Sequence, residues 1–263
     1  MRGQWIQWLQ SDCLLTQPRY TRIDPLLITT IVIKDFGSIL EQWERLRRFL
    51  AKLTNGKPVG YYAQHIKNLA IPGVFSQHEM INRILNICTG VENLLLLGTD
   101  EGFNLLDNPH AGRNLRRLCI ELQKSFPPGS TPTFYHPCFA NLTHLHLCDD
   151  ENQWPTYVGW EALTSLTHLA FYFAEPEEIM RLIQTLPTIQ YVAIGHYDDS
   201  EICRFAHATV NNSAQVREIC GARVVFLSGI PRNDWELGAR GEGDFWDLVE
   251  QETKRRLEAE SVG

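Results

Sequence analysis

The chain has 263 residues, of which 44% are hydrophobic, 21% charged and 10% aromatic. These proportions belong to an ordinary folded protein and exclude a disordered chain, a collagen-like fibre or a disulfide-stapled miniprotein. Its 24 Lys and Arg against 31 Asp and Glu leave a net charge of −7, a field that repels a nucleic-acid backbone, so no nucleic-acid partner is expected.

Met1 to Gln10 carries two Trp but no signal-like apolar run. No window reaches the ~18 consecutive apolar residues of a membrane span, so no membrane partner is expected either. The seven cysteines include no Cys-x-x-Cys pair and read as free thiols of a reducing compartment, which points to a cytoplasmic or nuclear location.

In chain order, Trp5, Trp8 and Leu9 fit one turn of helix, and Ile28 to Ile33 reads as a first strand. Ser38 to Leu53 reads as a helix. Ser38 and Glu41 form a capping box, Ile39, Trp43, Leu46, Leu50 and Leu53 form one stripe, and Thr54-Asn55-Gly56 is a stop. From Ile66 a six-residue pattern recurs: apolar, two variable, apolar, variable, apolar. It begins at Ile66, Val91, Leu115, Leu142, Leu166 and Ile189, at spacings of 25, 24, 27, 24 and 23 residues, with weaker copies starting at Ile28 and Ala222. Eight strands are implied.

Within each copy the alternation sends the fourth and sixth residues to one face, and stacking the copies in parallel buries those faces together. The returns between copies read as outer cover. Val74 to Gly90 places Ile81, Ile84, Leu85 and Cys88 on one helical stripe, with Ser76 and Glu79 as its capping box. Glu177 to Leu186 repeats that spacing with Ile179, Leu182, Ile183 and Leu186. Gly229 to Gly243 reads as a flexible loop, and Asp244 to about Glu258 as a closing helix. Phe245, Trp246, Leu248 and Val249 dock its start, while Glu250/Lys254 and Glu252/Arg256 pair in solvent.

The expected architecture is therefore α/β: a leucine-rich-repeat solenoid, or horseshoe, with about eight parallel strands on its concave face and helices or loops outside. Residues 1–263 form one domain, with an N-terminal capping region over 1–65, repeats over 66–229 and a C-terminal loop and capping helix over 230–263.

Several stretches carry a family resemblance: Pro25 to Ile33, His65 to Ile71, Cys88 to Leu94, the Leu-Thr-His-Leu units at Leu142 and Leu166, and the closing Asp244-Phe-Trp246. In these the chain resembles the leucine-rich-repeat proteins of the F-box group found in mushroom-forming fungi. The resemblance implies a substrate-recruiting surface coupled through an N-terminal F-box to a cullin ubiquitin ligase. Only 27 residues precede the first strand here, whereas three helices of ~11 to 12 residues need about 35. The expectation is a chain without the F-box that does not bind the Skp-type ligase adaptor.

The phosphate-loop, nucleophile-elbow and zinc-protease signatures are missing, so no catalytic residue, enzyme activity or cofactor is expected. The acidic runs Asp149-Asp150-Glu151 and Asp198-Asp199 follow strands and are expected to face water. On the face opposite the core, the register aligns Arg117, His144, His168 and Tyr191 at one level. Cys119 and His146 lie at the next, and Leu97, Cys148 and Tyr172 beyond them. The favoured reading makes Leu95, Leu97, Arg117, His144, His146, His168, Tyr172 and Tyr191 a surface for an unidentified protein partner. The other uses open to them are cover by the protein's own loops, and a Zn²⁺ or Cu site or unfamiliar enzyme built on the ladder of His144, His146 and His168 with Cys148.

Overall fold

The computed structural model describes residues 28–33, 38–58, 60–72, 78–98, 112–149, 153–172, 176–195, 221–227, 230 and 234–262. The expectations for residues 1–27, for Ser76 and for Asp198-Asp199 lie outside them. Eight parallel strands form one open sheet: β1 (Thr30–Val32), β2 (Asn68–Pro72), β3 (Asn93–Leu97), β4 (Arg117–Ile120), β5 (His144–Leu147), β6 (His168–Phe171), β7 (Tyr191–Ile194) and β8 (Val224–Phe226). Each strand pairs only with its neighbours in sequence, the connectivity of a solenoid.

The six-residue pattern explains the register. Its fourth residues align as Leu69, Leu94, Leu118, Leu145, Leu169 and Val192, and all six are buried in the main core beside the first and sixth residues. The ladder also extends one step before each strand. Thr143 N–H donates to Arg116 O at 2.8 Å and Thr167 N–H to Thr143 O at 3.0 Å. The last copy differs from expectation by one residue. Val192 aligns with Val224, so Val225 joins the inner face, where it is buried; a one-residue slip exchanges the faces of a strand.

Helices cover the outside at the two ends of the sheet. Helix α1 (Ile39–Asn55) has the expected capping box, Ser38 accepting from Glu41 N and Ser38 N–H donating to Glu41. It buries Gln42, Leu46, Leu50 and Leu53, while Ile39 lies exposed at its first turn. The short α2 (Tyr61–His65) leads into β2, and α3 (His78–Ile87) buries Ile81, Ile84 and Leu85 as the periodicity predicts, with Cys88 buried just beyond its end. Helix α4 (Pro176–Thr185) likewise buries Ile179 and Leu182. Between β4 and β6 short 3₁₀ turns replace helices, and Phe134, Phe139, Trp154, Tyr157 and Trp160 fill the space, with Trp154 stacked on Phe171 at 4.3 Å.

The C-terminal region departs most from expectation. Part of the predicted loop is helix α5 (Asp234–Ala239), and a turn through Gly241 and Gly243, both at positive φ, leads into α6 (Phe245–Val262). The segment does not extend the solenoid. It crosses the inner face, with α5 near β1 and α6 over β7 and β8, so the central sheet is covered on both sides.

Candidate functional site

The inner face was expected to be open, and the structure corrects that. Leu95 and His146 are buried, as is His168 at 7% exposure, and Leu97, Arg117, His144, Tyr172 and Tyr191 are partly buried. The cause is chemical fit to residues 234–262. The inner face is apolar at Ala70, Leu95, Cys119, Ala170 and Ala193, and these positions pack into two small inner cores with Trp235, Phe245, Trp246 and Val249. Burying such a surface is favourable by roughly 25 cal/mol per Å² of apolar area.

Polar groups fix the register of this clasp. At the β1 edge, Asn68 donates to Thr30 Oγ1 at 2.8 Å and to the Ala239 carbonyl at 3.0 Å, and Asn93 donates to Asn68. In the centre Arg117 forms an ion pair with Asp244, whose other carboxylate oxygen accepts from Trp246 N at 3.0 Å. Asp234 accepts from Phe245 N at 2.9 Å and so caps α6. Gly238 lies close against Asp244, whose side chain would have to shift to admit a Cβ there.

Beyond Arg117 the third-position residues form an aromatic stack. His144 and His168 lie 3.9 Å apart at 10°, His168 and Tyr191 4.6 Å apart, and the Trp246 ring sits edge-on to both histidines at 5.4 Å. His168 Nε2 meets Glu250 at 3.0 Å. Glu250 was expected to pair with Lys254 in solvent and instead reaches back to the sheet, whereas Glu252 pairs with Arg256 as expected, at 2.7 Å, although Arg256 is largely buried against the Val224 carbonyl instead of facing solvent. Leu248, expected to dock, is exposed because it lies on the far side of α6.

The histidine ladder splits in two. His146 shares a face with His144 but belongs to a separate cluster with Cys119 and Cys148, under Phe245, whose ring centroid lies 5.5 Å from that of His146. Asp149, expected in water, is buried and accepts from Leu122 N and Gln123 N, both at 2.8 Å, tying the turn after β4 to β5. Burial raises its pKa despite those bonds.

Burial holds His144 down to about 3, with His168 and Arg117 adding repulsion. It also lowers His168, against the opposing pull of Glu250. The groups facing His168 are His144, Arg117, Tyr191, Trp246, Asp244 and Glu250. A histidine whose folded pKa lies below its unfolded value of ~6.5 contributes full stability above that value and loses it as pH falls through the range beneath. The expected result is a lower denaturation midpoint near pH 5.5 than near pH 7.5, with a smaller difference in His168→Gln. Equal slopes in the two proteins would show that His168 stays solvated.

The covering residues Trp235, Asp244, Phe245, Trp246 and Glu250 were not recognised as part of this face. Their signal was present: a run of apolar residues at inner positions needs cover, and Phe245-Trp246 directly after a glycine-rich turn is the strongest apolar group in the C-terminal region. No protein-family model matches the chain, and no curated protein matches it. Among the described residues no helix is long and apolar enough to cross a membrane.

Proposed function

We propose that the chain is a protein-interaction scaffold of leucine-rich-repeat type, a relative of the F-box-linked substrate receptors, whose inner sheet face grips a partner and is held in the free protein by its own residues 234–262. One observation carries this reading: the row Arg117, His144, His168 and Tyr191 is engaged by Asp244, Trp246 and Glu250 on a single helical segment. A face so built suits an amphipathic helix that presents an aromatic group flanked by acids. A partner of that chemistry competes with the clasp, and its apparent affinity falls by the fraction of molecules in which the clasp is closed.

The test compares the full-length protein with its Asp244→Asn/Trp246→Ala variant as baits in extracts of the native cells. Partners recovered more strongly on the variant, and displaced by a synthetic peptide of residues 234–262, support the reading. Partners indifferent to both treatments contradict it and move attention to the helical outside.

A second reading, chemistry on the histidine ladder, is favoured most by the separate cluster of Cys119, His146 and Cys148.

A further inference from the structure

The cluster is a product of register. Cys119 on β4 aligns with His146 on β5, and Cys148 follows His146 by two residues, so all three side chains leave the same face of adjacent strands. Cys119 Sγ lies 3.5 Å from His146 Nδ1 and 3.6 Å from Cys148 Sγ, and the three donor atoms lie within 4.8 Å of one another. A tetrahedral ion with bonds of ~2.3 Å to sulfur and ~2.0 to 2.1 Å to nitrogen sets S···S at about 3.8 Å and S···N at about 3.5 Å. These two separations match that geometry within a few tenths of an ångström.

We propose that Cys119 Sγ, Cys148 Sγ and His146 Nδ1 bind one Zn²⁺ ion on the inner face, beneath the C-terminal clasp. Thiolate and imidazole are the donors this borderline cation prefers. Charge favours it as well, since two thiolates neutralise a divalent ion and leave a buried site uncharged, whereas a monovalent soft ion leaves net charge behind. Binding of the ion by two cysteines releases their thiol protons.

The surroundings suit an ion. Ala170 on β6 aligns with His146 and is fully buried, so solvent does not reach the cluster from that side. Tyr172 hydrogen-bonds with Cys148, and the Phe245 ring covers His146, so the site has a shaped wall of the kind that tunes a metal centre.

The other group of potential ligands, His144, His168 and Glu250, is used differently. Its imidazoles stack at 3.9 Å, and His168 Nε2 is already taken by Glu250 at 3.0 Å. Their Nδ1 atoms already meet Thr143 at 2.9 Å and Thr167 at 2.7 Å.

The test is metal content and spectroscopy on the full-length protein purified under reducing conditions and loaded with Zn²⁺ or Co²⁺. The expected result is about one tightly held Zn²⁺ per chain and, with Co²⁺, a near-ultraviolet sulfur-to-metal charge-transfer band. Cys119→Ala and Cys148→Ala should each weaken Zn²⁺ binding by at least about tenfold. Cys88→Ala and Cys138→Ala, which remove buried thiols outside the cluster, should leave it unchanged. Wild-type protein that takes up Cu⁺ but not Zn²⁺, that gives no thiolate band with Co²⁺, or that retains metal equally in all four variants would overturn the proposal. The wild-type measurements decide even if a variant misfolds, and none depends on a protein partner.

Discussion

Trp246→Ala should lower folding stability by about 3 to 5 kcal/mol, the range for removing a buried Trp side chain. Trp246 is 5% exposed and lies at the junction of the clasp and the sheet, against the Phe245 ring at 4.3 Å and edge-on to His144 and His168. Removing it opens a void over the histidine stack and leaves the segment held by Phe245, Val249 and the polar contacts of Arg117, His168 and Val224. The last of these is the 2.6 Å hydrogen bond from Arg256 to the Val224 carbonyl. Leu248→Ala, two residues along the same helix but 58% exposed, should change stability by only ~0.5 kcal/mol. Chemical denaturation of the two variants checks the pair. Equal effects would mean that α6 presents a different face to the sheet.

Leu145→Ala should cost about 2 to 5 kcal/mol, through a different part of the molecule. Leu145 is fully buried and aligns with Leu118 on one side and Leu169 on the other, so its void lies in the middle of the continuous outer core. The neighbouring strands cannot close on it without shifting their own registers, which keeps the cavity and its energetic cost. Hydrogen exchange separates the two mechanisms. Trp246→Ala should raise exchange chiefly in residues 234–262, whereas Leu145→Ala should raise it across β4, β5 and β6. A Leu145→Ala protein with wild-type stability would remove the repeat register from which the rest is derived.

The sheet was legible because its signal is redundant. Six copies of one pattern agree on which residues face the core, and an error in one is corrected by its neighbours. Where redundancy ended, so did accuracy. The eighth copy, Ala222 to Leu227, stands alone, and its register was read one residue out.

The helices were legible where an apolar stripe and a cap agreed, as in α1, although a stripe alone does not reveal that Ile39 reaches past the edge of the sheet. The inner-face residues were found correctly, because alternation fixes which side of a strand they leave. What they meet was not found, since no local periodicity records that Asp244 pairs with Arg117 across 127 positions. The cysteine and histidine cluster was half visible. Register placed Cys119 beside His146 and Cys148 beyond it, but the separation of His146 from the His144 and His168 stack depends on the clasp side chains that cover each group.

The closure of the inner face by residues 234–262 is tested most directly by a double-mutant cycle on Arg117→Met and Asp244→Asn, with stability measured for both single variants, the double variant and the wild type. If Arg117 and Asp244 are paired as described, the cycle yields a coupling energy of about 1 kcal/mol or more, within the usual range for contacting residues. Effects of the two substitutions that simply add, leaving no coupling, would contradict the account, because the clasp would then not lie on the inner face.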